Sequence, residues 1–247
     1  MNLKNNTILI TGGSSGVGLE LCRQLIQDNT IIICARSLSK LNEVKKELPE
    51  VETYSCDLSK MEQRNQFLEW VKKEHSSLNV LINNAALVHK TNFMETSEAL
   101  EMAELEINTN FLAPIHLTKE LVSVLQKNYR PTIVNITTGL VYCPRADYPF
   151  YNATKAALHS FTQVLREQLK QENISIVEVL LPVVDTPWHK GNPPKIAIST
   201  PVAVEKMLGE LQTAKTEIKL GAVKLLYWLH RIAPKFAFKK INGLNKE

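Results

Sequence analysis

The sequence predicts an α/β domain: a doubly wound parallel sheet with helices on both faces. Three observations lead there. Short β-branched, apolar runs alternate with amphipathic stretches from residue 7 to residue 181. These runs are continuously apolar, as strands buried on both faces require. The first of them ends in Thr11-Gly12-Gly13-Ser14-Ser15-Gly16-Val17-Gly18, a glycine cluster where a strand should hand over to a helix. A length of 247 residues, with no repeat, low-complexity tract or linker, suits one such domain over 1–247.

Element by element, Thr7 to Thr11 is the first strand and Leu19 to Gln27 has helical periodicity. Thr30 to Cys34 is the second strand. Leu38 to Leu48 reads as a helix stopped by Pro49. Glu52 to Cys56 is a weaker third strand, after which Asp57-Leu58-Ser59 offers caps for a helix through about Glu74. Val80 to Ile82 is the fourth strand. A long helix is expected over about 97–127, kinked at Pro114. Thr132 to Ile136 is the fifth strand, Asn152 to Lys170 a helix, and Ile174 to Leu181 the sixth strand. Right-handed crossovers between parallel strands make this a Rossmann-type sheet. Beyond Pro182 the prolines at 187, 193, 194 and 201 predict an irregular segment, with Glu217 to Leu220 a candidate seventh strand.

Composition excludes several function classes. No apolar run approaches the ~18 residues a membrane span needs, and the first residues carry no hydrophobic signal region, so a cytoplasmic protein is expected. Four cysteines without a C-x-x-C pair read as reduced thiols. The six histidines show no metal-ligand spacing, so no metal is expected and each is read as a surface or satisfied structural group. Net charge is +4, but residues 219–247 hold seven basic side chains against one acidic, a local +6 that leaves −2 for the rest. That argues against nucleic-acid binding and for a basic tail.

Glycines after the first strand permit a tight turn and let backbone approach a pyrophosphate at a helix N-terminus. The spacing here is Gly12-x-x-x-Gly16-x-Gly18. The second strand ends in Ala35-Arg36-Ser37, with no Asp or Glu to accept from a ribose 2′-hydroxyl. Arg36 can pair with a 2′-phosphate and Ser37 can donate to it, which favours NADP(H) over NAD(H). Asp57 can approach the adenine or cap the next helix. Tyr151 and Lys155, four apart, share a helix face. A phenol titrates near 10 when unperturbed, and an ammonium beside it lowers that value, making the pair a candidate acid/base unit.

With these motifs in order, and with Asn83-Asn84-Ala85-Ala86 between them, the chain resembles the short-chain dehydrogenase/reductase superfamily from about Thr7 to Thr186. The stretches 133–140 (IVNITTGL) and 151–161 (YNATKAALHSF) look most like the DltE-type oxidoreductases. The resemblance implies Tyr151 as acid/base, Lys155 as its partner and ribose contact, Asn110 in a water-mediated relay, and Thr138 where the family usually has Ser. It implies cofactor contacts at Gly12, Ser14, Ser15, Gly16, Val17, Gly18, Arg36, Ser37, Asp57, Leu58, Asn84, Ala85, Tyr151, Lys155, Val184 and Thr186. Two further departures are Ala86 for a Gly, tolerable at negative φ, and Val183 for a Gly, which predicts an altered backbone beside the nicotinamide.

The expected activity is NADP(H)-dependent interconversion of a carbonyl and a secondary alcohol on a small molecule. The alternative is a cofactor-binding regulatory protein with little chemistry. Residues 7–186 would form the cofactor-binding and catalytic core, and 187–247 a substrate-side segment with a basic amphipathic tail. The long helices 97–127 and 152–170 are candidate homo-oligomer surfaces. Ala222 to Leu229 is apolar and aromatic, interrupted by Lys224, and Pro234 should end its helix. Such a tail either packs over the substrate pocket, the expected outcome, or makes weak peripheral contact with an anionic membrane.

Overall fold

The computed structural model describes residues 2–243, which leaves the tail charges Lys246 and Glu247 outside the described residues. Seven strands run parallel in one sheet, in the order β3-β2-β1-β4-β5-β6-β9. They are β1 (Thr7–Thr11), β2 (Thr30–Ala35), β3 (Glu52–Ser55), β4 (Val80–Asn83), β5 (Thr132–Thr138), β6 (Ser175–Leu181) and β9 (Glu217–Lys219). The candidate seventh strand is therefore real and forms the edge beside β6. A separate two-residue pair, β7 (Val184–Asp185) with β8 (Ile198–Ser199), was not foreseen.

Helices α1 (Gly16–Leu25), α2 (Leu38–Glu47), α3 (Met61–Glu74), α4 (Ala99–Ile107), α5 (Ala113–Leu125), α6 (Pro149–Gln168), α7 (Thr200–Leu211), α8 (Ala222–Ile232) and α9 (Pro234–Gly243) complete the described fold. Successive strand residues point to opposite faces, so each strand feeds two cores. Ile8, Ile10, Ile31 and Ile33 pack with Leu21, Val204 and Met207 on one face. Leu9, Ile32 and Ile133 pack with Phe67, Leu117 and Leu121 on the other. This single doubly wound domain is the predicted fold class.

Several local expectations need correction. The helix over 97–127 is interrupted by a π-helical turn, Asn108–Leu112, rather than bent by a proline alone. Pro114, which has no N–H, follows at once in α5, into which the helical backbone runs on from the π turn through Ala113, whose N–H donates to Asn108 O. Asp57 does not cap α3: its Oδ1 accepts from Ser59 N at 2.9 Å and Ser59 Oγ at 2.7 Å, and α3 starts after Lys60 with no side-chain cap. Pro201 opens α7 where an irregular segment was expected. Val183 has no positive φ; its carbonyl accepts from Ile198 N at 3.1 Å, so the residue leads into β7. Ala86 has no positive φ, as expected for Ala in place of Gly.

The tail is two helices separated at Ala233, immediately before Pro234. Val223 and Ala237 are buried, and Leu226 and Leu229 turn toward the central cavity. Packing over the cavity is thus what the inner face does. Leu225, Trp228, Ile232, Phe236 and Phe238 remain exposed on the described surface. No described helix is long and apolar enough to cross a membrane.

Candidate active site

The strand order reverses between β1 and β4, and the crevice at such a switch point is where open α/β sheets bind ligands. Side-chain bonds clamp the two strand ends together. Asn84 N and Ala85 N each donate to Thr11 Oγ1 at 3.0 Å, and Asn84 Nδ2 donates to Thr11 O at 2.9 Å. Gly12 turns the chain here with φ +68°, and a Cβ on it would lie 2.9 Å from Ala85 Cα. The backbone therefore comes close to a neighbouring loop at the point where α1 begins.

A cavity of about 880 Å³ opens from this crevice. Of the cofactor residues named from the sequence, Gly12, Ser14, Ser15, Gly16, Val17, Arg36, Ser37, Asp57, Leu58, Asn84, Ala85, Tyr151, Lys155, Val184 and Thr186 all line it. Gly18 does not. A Cβ there would meet Gly12 O at 2.3 Å and Asn84 Nδ2 at 2.6 Å, so Gly18 lets α1 approach the strand end behind the cavity wall. Gly13, which the sequence reading passed over, does the same against Ile33, at 2.4 Å. Ser37 Oγ accepts from Lys40 N at 3.3 Å and so caps α2 while facing the cavity. Arg36 is exposed at the cavity rim. A glycine-lined turn, a helix N-terminus and an exposed guanidinium in one long cavity fit a phosphorylated dinucleotide.

At the other end of the cavity stand Thr138, Tyr151 and Lys155. β5 delivers Thr138 at its last residue, and α6 presents Tyr151 and Lys155 one turn apart. The Thr138 and Tyr151 side chains both line this end of the cavity, and the Thr138 hydroxyl favours the ionised form of the Tyr151 phenol. Thr138 Oγ1 also accepts from Leu140 N at 3.3 Å. Lys155 is 2% exposed, and its Nζ donates to Ile136 O at 2.8 Å. Burial pushes its ammonium down to about 8, against the opposing charge of Glu178.

The expected lowering of the tyrosine pKa is not what the protein's own groups produce. Burial pushes the Tyr151 phenol up to about 12; the Thr138 hydroxyl opposes this and the Glu106 charge adds to it. At neutral pH the phenol is therefore protonated, a donor in waiting.

Asn110 is also placed differently from the relay reading. It is fully buried and does not line the cavity; Oδ1 accepts from Leu87 N at 2.7 Å, and Nδ2 donates to Leu87 O at 2.8 Å and Thr154 Oγ1 at 3.2 Å. It ties the loop after β4 to α6. Glu106, missed in the sequence, ties the same loop four residues earlier on the helix. Its Oε1 accepts from His89 N at 2.7 Å and lies 2.8 Å from His89 Nδ1. Burial raises its pKa, partly offset by His89. The i, i+4 spacing of Glu106 and Asn110 was the available signal.

His159, Glu178 and Glu217 bring ligand-type atoms within 4.8 Å of one another. Each is already engaged. Glu178 accepts from Thr137 Oγ1 at 2.5 Å and pairs with His159 at 2.8 Å, while Glu217 accepts from Tyr142 OH at 3.1 Å and pairs with Lys219. All four cysteines are buried and free.

The parallel sheet and the switch-point cavity define a Rossmann-type fold with one ligand crevice. The sequence model of the short chain dehydrogenase family matches residues 6–196, so the chain belongs to that family. It is 42% identical over 224 residues to the uncharacterized oxidoreductase DltE of Bacillus subtilis, covering 88% of this chain and 89% of that protein. It is 30% identical over 213 residues to the 3-ketodihydrosphingosine reductase of Dictyostelium discoideum, covering 76% of this chain and 63% of that one. A short chain dehydrogenase from Burkholderia cenocepacia, solved in complex with NADP, superposes with a TM-score of 0.85 at 21% identity, over 98% of this chain and 99% of that one.

Proposed function

We propose that the protein is an NADP(H)-dependent oxidoreductase that interconverts a carbonyl and a secondary alcohol. The observation that carries this is a single cavity lined by the glycine turn and Arg36 and also by Thr138, Tyr151 and Lys155. The nicotinamide would supply the hydride. Thr138 and Tyr151 donate hydrogen bonds to the carbonyl oxygen where negative charge builds, and Tyr151, protonated at neutral pH, delivers its proton there. Lys155 contacts the ribose from its buried position and orients it. Asn110 and Glu106 act through the loop at 87–89, which forms one wall of the pocket. Leu87, Val88, Leu140, Val183 and Trp188 give that pocket an apolar lining, which suits a ketone carried on an apolar body. A relative named for 3-ketodihydrosphingosine supports the same substrate class.

Arg36 supports NADP(H) over NAD(H). Replacing it with Ala is expected to weaken NADPH binding about tenfold or more while leaving NADH binding nearly unchanged, because only the 2′-phosphate contact is lost. Calorimetric titration of both nucleotides into both proteins checks this; equal wild-type affinities for NADPH and NADH would remove the assignment. Buried free thiols agree with a reducing, cytoplasmic setting. Exposed Leu105, Ile107 and Leu112, with Val164 on α6, support self-association through these helices, which sedimentation velocity would show as a dimer or larger species.

A further inference from the structure

Most of the outer surface of α8 and α9 lies outside the site described above, and only Leu225 of its exposed apolar residues reaches the cavity rim. Leu225, Trp228 and Ile232 lie at helical spacing on one side of α8 and are 71%, 60% and 80% exposed. Phe236, at the start of α9, is 57% exposed. Lone exposed apolar residues are common on protein surfaces, but a cluster of large ones marks a contact site.

Three further observations say what the contact is. First, Lys224, Arg231, Lys235 and Lys239 alternate with the apolar residues along α8 and α9, Lys224 pairs with Glu210 at 3.5 Å, and residues 218–243 contain no Asp or Glu at all. Second, this basic stretch faces a domain that is net negative elsewhere, so the positive charge is concentrated here. Third, the exposed apolar residues Leu225, Ile196 and Trp188 also line the cavity, so the cavity mouth opens beside this surface. A second copy of the chain would bring like charge against like charge on this face. An anionic bilayer accepts both components: tryptophan and aliphatic side chains at the headgroup boundary, lysines and arginines against the phosphates.

We propose that α8 and α9 seat the protein on the surface of an anionic lipid bilayer, with the cavity mouth turned toward the lipid. The substrate then reaches Tyr151 from the bilayer as a carbonyl on a long apolar chain. This second half rests on the carbonyl-reductase reading above; the docking itself does not.

The test is co-sedimentation with vesicles of phosphatidylcholine alone or mixed with phosphatidylglycerol, at low and physiological salt. Wild type is expected to pellet at least about tenfold more with the anionic vesicles, and less at the higher salt as screening grows. The triple variant Trp228→Ser, Ile232→Ser, Phe236→Ser touches no cavity residue, so it should keep its NADPH affinity and lose vesicle binding. Brominated lipid gives an independent readout. In Trp228→Phe the remaining tryptophans are Trp188, at the cavity mouth, and Trp70, stacked with Tyr54 and Phe67. Quenching of Trp188 but not Trp70 is expected. Absence of binding to anionic vesicles at low salt overturns the proposal. So does binding that survives the triple variant, a dimer that the triple variant abolishes, or quenching confined to Trp70. Vesicle binding is read without turnover, so a protein that docks yet reduces no carbonyl contradicts only the catalytic reading.

Discussion

Tyr151→Phe is expected to lower kcat/KM by roughly 10²–10⁴-fold, the range over which a positioned general acid contributes, while NADPH affinity changes little. The phenol lines the cavity beside Thr138, so removal of its hydroxyl takes away the proton and one donor to the carbonyl oxygen. The ring stays, so the wall of the nucleotide site stays. Thr138 should show a graded result. Thr138→Ser keeps the hydroxyl and should retain most activity, whereas Thr138→Val is nearly isosteric, loses the donor and should cost about 10²–10³-fold. Steady-state rates of the variants on one ketone check both claims. Near-wild-type activity in Tyr151→Phe would take the phenol out of the mechanism, and equal activity in the two Thr138 variants would take out that hydroxyl.

Gly18→Ala should have the second large effect, on nucleotide binding and stability together. The added methyl would sit 2.3 Å from Gly12 O and 2.6 Å from Asn84 Nδ2, closer than carbon can approach either atom. Both are parts of the frame, so α1 must move off the strand end and the Asn84 latch on Thr11 O must open. Overpacking of this kind costs about 1–3 kcal/mol. The expected result is a Tm lowered by several degrees and NADPH binding weakened at least about tenfold, since the pyrophosphate turn shifts with the helix. Gly209→Ala is the control: nothing lies within 4 Å of its added methyl at this exposed position of α7, so stability should hold or rise slightly. An unchanged Tm and NADPH affinity in Gly18→Ala would contradict the close approach described here.

The first six strands were legible because β-branched apolar runs have few other uses in an alternating chain, and the glycine turn was legible because its residue types are steric requirements. Pro201 stands in a helix where an irregular segment was expected, whereas Pro234 separates two helices as expected. Pro149, Pro187, Pro201 and Pro234 stand in the first turn of a helix or 3₁₀ segment, where the missing N–H costs little. A proline therefore reads as a start as readily as a stop, and the choice depends on tertiary contacts that a sequence does not display. The β7–β8 pair is two residues per strand and has no periodicity to detect. At the site, residue identities were legible but not their second bonds. Asn110 and Lys155 spend their polar atoms on backbone carbonyls or amides of distant elements, at Leu87 and Ile136. Those partners are fixed only once the sheet has closed.

The tail shows a different limit. Its amphipathic pattern gave two readings, packing over the cavity or contact with a membrane, as if one face had to choose. In the folded chain Val223 and Leu226 face inward, Trp228 and Ile232 face out and the exposed Leu225 lies at the cavity rim, so a single helix has apolar residues for both.

The most direct test of the central claim is isotope transfer. NADPH carrying deuterium at the nicotinamide C4 is incubated with the protein and a panel of aldehydes and ketones that includes long-chain ketones, and the alcohols are analysed by mass spectrometry. Hydride transfer in this cavity predicts deuterium on the former carbonyl carbon of at least one product, absent when Tyr151→Phe replaces the wild type. Tight NADPH binding with no labelled alcohol anywhere in the panel would contradict the account and leave a nucleotide-binding protein without the chemistry.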